Sequence, residues 1–596
     1  MKRLLSPTIY NTRSKKIKIS NDNEYISASS VYNYMINDPL IDFLNLTNNN
    51  TNNNTINTNT IINTNTIINT NTINTNKFDE FTKFIMNKGN QFELKIVKYI
   101  NDNIQKIETI SSYITEESCN KTIDLMNKGV PIIHSAPFYN KINKTKGIID
   151  LLVRSDYINK IVQKNVIETN EIKTPLKPYY YIVIDIKFST IPLMSDGIHI
   201  QNSNNYKAYK SQLYIYTESI GHIQNYQSKY SFILGRRCKY TKKSIVYNNY
   251  NCLERIGRID YDKIDNIYKT HTNNAVNWLR DLRKNYHNWT LNPPSNSNLY
   301  PNMCIDSGLW NLQKENISNE IGEITCIWNV NTSHRENAFK KGIRKWQDKK
   351  CNSKNLGIKG KRSDIIDKIL NINRQNIHKI LPLKIINNIY NWKYNKNEVF
   401  VDFETISDII TNFDNLPNQK SSELIFMIGI YYYDENNNWI YKNYVCKNMS
   451  HNEEKRIINE FINFLKIKKN PVINYWFAEQ SLWNRACNRH NINNINNINN
   501  NKWCDLYHIF KSEPIVIKDC FNFGLKSISK AMNKHNLINI EMNSLCVSGK
   551  SAMINAINFY ENDGENTNII DDIGTYNEFD CKVLKEILYY LRKNHI

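Results

Sequence analysis

The stretch "YYIVIDIKFS", Tyr180–Ser189, decides how the first half of the chain is read. Tyr181 to Ile184 have the aromatic and β-branched character of a buried strand. Asp185 and Lys187 follow with only Ile186 between them. Side chains alternate along a strand, so Asp185 and Lys187 share one face and Ile186 takes the other. An acid and a base at the end of a buried strand need compensating partners. A divalent cation would compensate the Asp, and a phosphate would compensate the Lys.

Further acids stand upstream where apolar residues are expected. "GIIDLLVR", Gly147–Arg154, places Asp150 in an otherwise apolar strand. "GNQFELKIV", Gly89–Val97, places Glu93 in a helix whose apolar positions include Phe81, Phe84, Ile85, Phe92, Ile96, Val97 and Ile100. "GVPIIHSAPFYN" and "YSFILGRR" add two strands. "YKAYKSQLYIYTESIG" reads as a helix, with Gln212 and Tyr216 one turn apart. Strands with helices at either end predict a mixed α/β core.

Glu93, Asp150, Asp185 and Lys187, in that order, resemble the active-site motif of the PD-(D/E)xK nucleases. The run G-x-x-D, D-x-K and Q-x-x-x-Y resembles the RecB-like branch, with Asp185 where many members have Glu. The resemblance implies a restriction-endonuclease-like fold and Mg²⁺ or Mn²⁺ held by Asp150 and Asp185. Glu93 would assist directly or through water, Lys187 would face the scissile phosphate, and Gln212 and Tyr216 would position the substrate. The residue types suit this chemistry, because Mg²⁺ takes hard oxygen ligands and a cation stabilises charge developing on phosphate.

A second constellation lies in the last third of the chain. "VFVDFETISD", Val399–Asp408, puts Asp402 and Glu404 on one strand face. "GTYNEFDCKVLKEILYYLR", Gly574–Arg592, puts Tyr576 and Asp580 one helical turn apart. This pattern resembles the DEDD exonucleases of the RNase H-like fold, in the Tyr subgroup. "INYWFAEQSLWNRA", Ile473–Ala486, offers Glu479 where that family has Asp, and Asp505 in "WCDLYHIF" is the alternative. "FNFGLKSISKAM", Phe521–Met532, resembles a helix segment common in the group. The resemblance implies Asp402, Glu404, Asp580 and Glu479 around paired Mg²⁺ ions. It implies Tyr576 as orienter of the attacking water, a phenol being mostly neutral at pH 7.

Together the two parts resemble predicted bacterial and archaeal RecB-like nucleases fused to an RNase H-like domain. "ISNEIGEITCIWNVNTSHRENAFKKGIRKW", Ile317–Trp346, adds Gly322, Glu323, Trp328, His334, Gly342, Ile343 and Trp346 in the order seen there. The expected fold is α/β, in four parts. A disordered Asn/Thr-rich segment spans 1–76, a PD-(D/E)xK RecB-like domain 77–290, a helical connecting region 291–395, and an RNase H-like domain 396–596. The first segment is read as disordered because Asn45–Asn76 is almost only Asn, Thr and Ile.

Composition fits this reading. At 596 residues several domains are expected, and 40% hydrophobic residues suffice for real cores. The formal charge of +21 suits a nucleic-acid partner, DNA before RNA, although the Asn, Ile, Lys and Tyr bias of an AT-rich coding sequence also adds Lys. The 12 Cys form no CxxC pair, so neither a zinc ribbon nor an iron–sulfur cluster is expected. The basic N-terminus lacks an apolar signal core and no apolar run is long enough for a membrane. A reduced, cytoplasmic or nuclear protein that is not secreted is therefore expected. Two other readings share these motifs. In one, the domains have lost turnover and bind nucleic acid as a scaffold; in the other, only the first site cuts.

Overall fold

A computed structural model describes residues 24–53, 79–110, 113–203, 205–410, 412–436, 438–492, 502–542, 544–546, 548–562 and 567–596. The chain divides into two units. Ile85–Tyr300 with Asn412–Lys420 and the N-terminal residues form the first; Pro301–Thr411, Ser421–Ile596 and Asn76–Phe84 form the second.

The first unit is built on an eight-stranded mixed sheet. Its central strands are β1 (Ile132–Asn140), β2 (Thr145–Arg154), β3 (Tyr181–Pro192) and β4 (Tyr230–Lys242). β1, β2 and β3 run antiparallel in turn, and β4 lies parallel to β3. A parallel neighbour requires a crossover connection, which the helix Tyr206–Gln224 supplies. β4 continues into a hairpin with β5 (Ile245–Asn249), and β6 (Gly257–Asp260) pairs with the start of β4. The long N-terminal helix Glu80–Asn103 buries Phe92, Ile96 and Ile100 in the core beneath β3. Strand alternation accounts for the buried row Ile182, Ile184 and Ile186 on β3 in that same core.

The disordered N-terminal segment expected over 1–76 is corrected in part. Residues 24–53 fold with the first unit. Ile26–Ser27 pairs parallel with the start of β2, and a helix spans Leu40–Asn53. Leu40, Ile41, Phe43 and Leu44 are buried. Their i, i+1, i+3, i+4 spacing makes an apolar stripe that the neighbouring Asn-rich composition conceals. The rest of the Asn/Thr tract, 54–76, and residues 1–23 lie outside the described residues.

The second unit carries a five-stranded sheet. Its strands are β7 (Glu398–Ile406), β8 (Leu424–Tyr433), β9 (Trp439–Val445), β10 (Val472–Tyr475) and β11 (Trp503–Asp505). The spatial order is β9-β8-β7-β10-β11. The β7–β8–β9 pairs are antiparallel and the β7–β10–β11 pairs parallel. Between β8 and β9 the Asp434 carboxylate accepts from the backbone of Asn436 and Asn438. The last helix, Thr567–Asn594, buries Val583, Leu584, Ile587, Leu588 and Leu591. Each such side chain contributes about 1.5–3 kcal/mol on burial.

The helical region expected to connect the domains shares a core with the C-terminal one. Ile324, Ile366, Leu370 and Trp392 belong to the same cluster as Phe400, Phe510, Leu584 and Leu588. All 12 cysteines are free. Among the described residues no helix is long and apolar enough to cross a membrane.

Candidate active sites

β3 delivers Asp185 and Lys187, and their side chains form an ion pair at 2.6 Å. Asp185 is 1% exposed, while Lys187 keeps about a quarter of its side chain open. Apart from this contact, Asp185 Oδ2 has no hydrogen-bond partner. Asp150, on β2, accepts the Ile186 backbone N–H at 2.8 Å. Burial first, then the charges of Asp185 and Glu93, raises the Asp150 carboxyl well above its ordinary range; Lys187 pulls it back. The nearby carboxylates hold the Lys187 ammonium protonated, against the opposing effect of burial. The four expected residues therefore act on one another electrostatically, although 92 positions separate Glu93 from Asp185 in sequence.

Tyr216 is buried beside these acids. Burial and the charges of Asp185 and Asp150 raise its hydroxyl, and Gln212 Nε2 donates to it at 2.8 Å. Its ring meets Phe138 edge-on at 5.5 Å. Gly147 makes room for that ring, since a Cβ there would lie 2.5 Å from it. The glycine of G-x-x-D is thus explained by close approach. Two contacts were not foreseen from sequence. His134, on β1, meets Glu93 Oε1 at 3.2 Å, and the Tyr209 ring centre lies 5.3 Å from Lys187 Nζ. A lone His in the apolar run "PIIHSAP" was the signal for the first.

β7 delivers Asp402 and Glu404, the helix Glu479–Arg489 begins at Glu479, and the helix Thr567–Asn594 delivers Tyr576 and Asp580. Glu404, Glu479 and Asp580 are buried, and Asp402 is partly so. Burial, then Asp580, pushes the Glu404 carboxyl up to about 7. Burial pushes Glu479 up to about 8 and Asp580 up to about 6. Asp402 is raised by burial and by Glu404, Asp580 and Glu479. Four carboxyls crowded in a desolvated site either keep their protons or ionise beside a cation. Glu479 Oε2 and Asp580 Oδ1 are buried without a hydrogen-bond partner, which fits a cation-binding set. Tyr576 is buried, and burial together with Asp580 keeps its hydroxyl protonated.

Sequence reading missed Asn577, and it singled out the stretch that contains Lys526 without giving that residue a role. Asn577 Nδ2 donates to Asp402 Oδ2 at 2.8 Å, to the Asp402 carbonyl at 3.1 Å and to Glu404 Oε1 at 3.4 Å. Its Oδ1 accepts from the Tyr441 hydroxyl at 3.0 Å. Lys526 Nζ lies 4.4 Å from the Tyr576 ring centre and lowers the carboxyls of Asp580 and Glu404. Asp505 instead accepts the Phe477 N–H at 3.2 Å and precedes the helix Leu506–Ser512, which leaves Glu479 as the carboxyl that faces Asp402. A separate trio, His451, Glu454 and His490, brings ligand atoms within 4.8 Å of one another. There Arg489 bonds both Glu454 oxygens, at 2.7 and 3.0 Å, and already neutralises that carboxylate.

Gly429 pairs with Asp402 in the β7–β8 ladder, and a Cβ there would fall 1.5 Å from Asn577 Oδ1. Gly429→Ala is therefore expected to displace Asn577 and to destabilise the fold by about 1–3 kcal/mol, as overpacking does. Thermal denaturation measures it; an unchanged melting temperature would mean that Asn577 is not held there.

Residues 399–592 match a family model described as RNase H superfamily. A search of curated proteins returned no match to the chain. The match covers the second sheet, all but Glu398 at the start of β7, and every member of the second carboxylate set. The C-terminal part is thus RNase H-like, a class whose nucleases act on nucleic acid and usually use divalent metals.

Proposed function

We propose that the chain is a metal-dependent nuclease with two sites. The carrying observation is the second one: Asp402, Glu404, Glu479 and Asp580 converge with raised carboxyls and two unpartnered buried oxygens. These four would hold Mg²⁺ or Mn²⁺. When bound, such ions polarise the scissile phosphate and lower the pKa of the attacking water. Asn577 fixes the rotamers of Asp402 and Glu404. Tyr576, with its proton retained, would orient the water by hydrogen bonding rather than take its proton. Lys526 places positive charge beside Asp580. By the Tyr-type resemblance, the product would be nucleotides released from a 3′ end.

The first unit is proposed as a RecB-like PD-(D/E)xK site. The order helix, three antiparallel strands, helix, parallel strand supports this reading, as does the gathering of Glu93, Asp150, Asp185 and Lys187. Asp150 and Asp185 would hold the metal, with Glu93 assisting and His134 orienting Glu93. Lys187 would leave Asp185 for the phosphate. Gln212, partly exposed, would touch the strand, while buried Tyr216 supports the acids. DNA is favoured over RNA as substrate.

The test is incubation of the full chain with end-labelled single- and double-stranded DNA and RNA, with Mg²⁺, Mn²⁺ or chelator. Cleavage should require metal; full cleavage in excess EDTA would rule the proposal out. Lys187→Ala is expected to lower cleavage at the first site by about 100-fold or more, in the range of lost electrostatic stabilisation, with little change in melting temperature. If the domain unfolds instead, while Asp185→Ala does not unfold it, the Asp185–Lys187 pair is structural.

A further inference from the structure

We infer that the β4–β5 hairpin is an arm that grips the backbone of the nucleic acid at the first site. This inference rests on the proposed nuclease reading of that site. From Ser231 to Leu253 the sequence holds five Lys or Arg and neither Asp nor Glu. All five, Arg236, Arg237, Lys239, Lys242 and Lys243, lie on β4 or at its turn. In the parallel ladder Lys187 pairs with Gly235, and Thr190 with Arg237. The register of β3 shifts between Lys187 and Thr190, but Gly235 faces with its partner Lys187, and alternation along β4 itself carries Arg237 and Lys239 on toward that face. At about 3.3 Å per residue, Arg236 to Lys242 spreads positive charge over about 20 Å of β4, with Arg236 and Lys242 on the opposite face.

Past Lys239 the strand pairs with β5 alone, and Lys239 and Thr241 through Asn248 are exposed. A two-stranded ribbon with both faces in water buries too little to be there for stability. It is nevertheless braced. Tyr240 and Tyr247 stack at 4.8 Å with ring planes 9° apart, and the Arg255 guanidinium lies 5.4 Å from the Tyr240 centre. The two-residue turn has Lys243 at φ 49° and Ser244 at φ 64°. Such turns ordinarily use Asn-Gly, because a side chain strains at positive φ. A lysine held at the tip in a strained conformation is a choice for charge over backbone comfort, and strain of this kind concentrates at ligand contacts. Phosphate is the ligand chemistry that a basic, acid-free ribbon recognises, and a ribbon of two strands also fits a duplex major groove.

Fluorescence anisotropy tests this with labelled single-stranded and duplex oligonucleotides in EDTA, across a salt series, using the full chain. Lys239→Ala/Lys242→Ala/Lys243→Ala should weaken binding about 10-fold or more at low salt. The slope of log Kd against log salt should fall by about 2, since each phosphate contact contributes about 0.7 for single strands and about 0.9 for duplex. The steeper loss, on strand or duplex, identifies the form held. Removing the same charge at exposed Lys121, Lys128 and Lys141 should leave the slope unchanged. Equal losses for the two triple variants, or wild-type affinity for the first, would overturn the inference. A wild type that binds steeply here but does not cut in the metal-dependent cleavage assay would refute the nuclease reading and leave the arm standing.

Discussion

Asp402→Ala is expected to lower release of labelled terminal nucleotides by at least about 100-fold. Even residues that only orient metal ligands typically cost about 10–100-fold when removed, and Asp402 is proposed as a direct ligand. It also receives the Asn577 amide, so its loss frees Asn577 and weakens the hold on Glu404. Asp185→Ala should remove a different product pattern, endonucleolytic or flap-directed, to a similar extent. The two acids lie in separate units, and each set is proposed to hold its own metal. The double variant should be inert. Gel analysis of both single variants on the same labelled substrates measures this. If Asp402→Ala changes no product, the RNase H-like part binds nucleic acid without cutting it.

Without metal, the second unit is expected to lose stability as pH rises from about 5 to about 8, and Mg²⁺ should restore it. Glu404, Glu479 and Asp580 are raised to about 7, 8 and 6 in the folded chain, against about 4 in an unfolded one. Below pH 4 both states are protonated and no penalty arises. As pH rises, the unfolded chain ionises first while the fold still holds its protons, so stability falls until the folded carboxyls also ionise. Each tenfold difference in proton affinity between the folded and unfolded states corresponds to about 1.4 kcal/mol per carboxyl, so the loss across the cluster should be on the order of 3 kcal/mol or more. A divalent cation binds the ionised carboxyls and reverses the sign, with protons released on binding. Melting temperature against pH, in EDTA and in Mg²⁺, tests it. A metal-induced rise larger at pH 8 than at pH 5.5 is expected; parallel curves would show that the carboxyls do not bind metal.

The carboxylates were readable because each breaks a local pattern. Asp402 and Glu404 follow the apolar run Val399–Val401 within one strand, and Tyr576 and Asp580 share one turn of a helix whose apolar stripe is continuous. Residues that serve the acids break no such pattern. Asn577 is a polar residue on a helix with many, and its partner Asp402 lies 175 positions away. Periodicity carries no information about so distant a hydrogen bond. Lys526 meets Tyr576 across a gap of 50 positions. The helix Leu40–Asn53 escapes a sequence reading for a different reason: Leu40, Ile41, Phe43 and Leu44 form its apolar stripe inside a segment whose overall composition is Asn-rich. The region between the domains read as helical, which it is, but helical periodicity does not reveal which sheet a helix packs on. Its Ile366, Leu370 and Trp392 share a core with the C-terminal helix.

Anomalous scattering from Mn²⁺ soaked into crystals of the full chain tests the central claim most directly. Peaks are expected among Asp402, Glu404, Glu479 and Asp580, and between Asp150 and Asp185. Asp402→Ala should erase the former alone. Absence of both peaks, or Mn²⁺ found instead at His451, Glu454 and His490, would contradict the account.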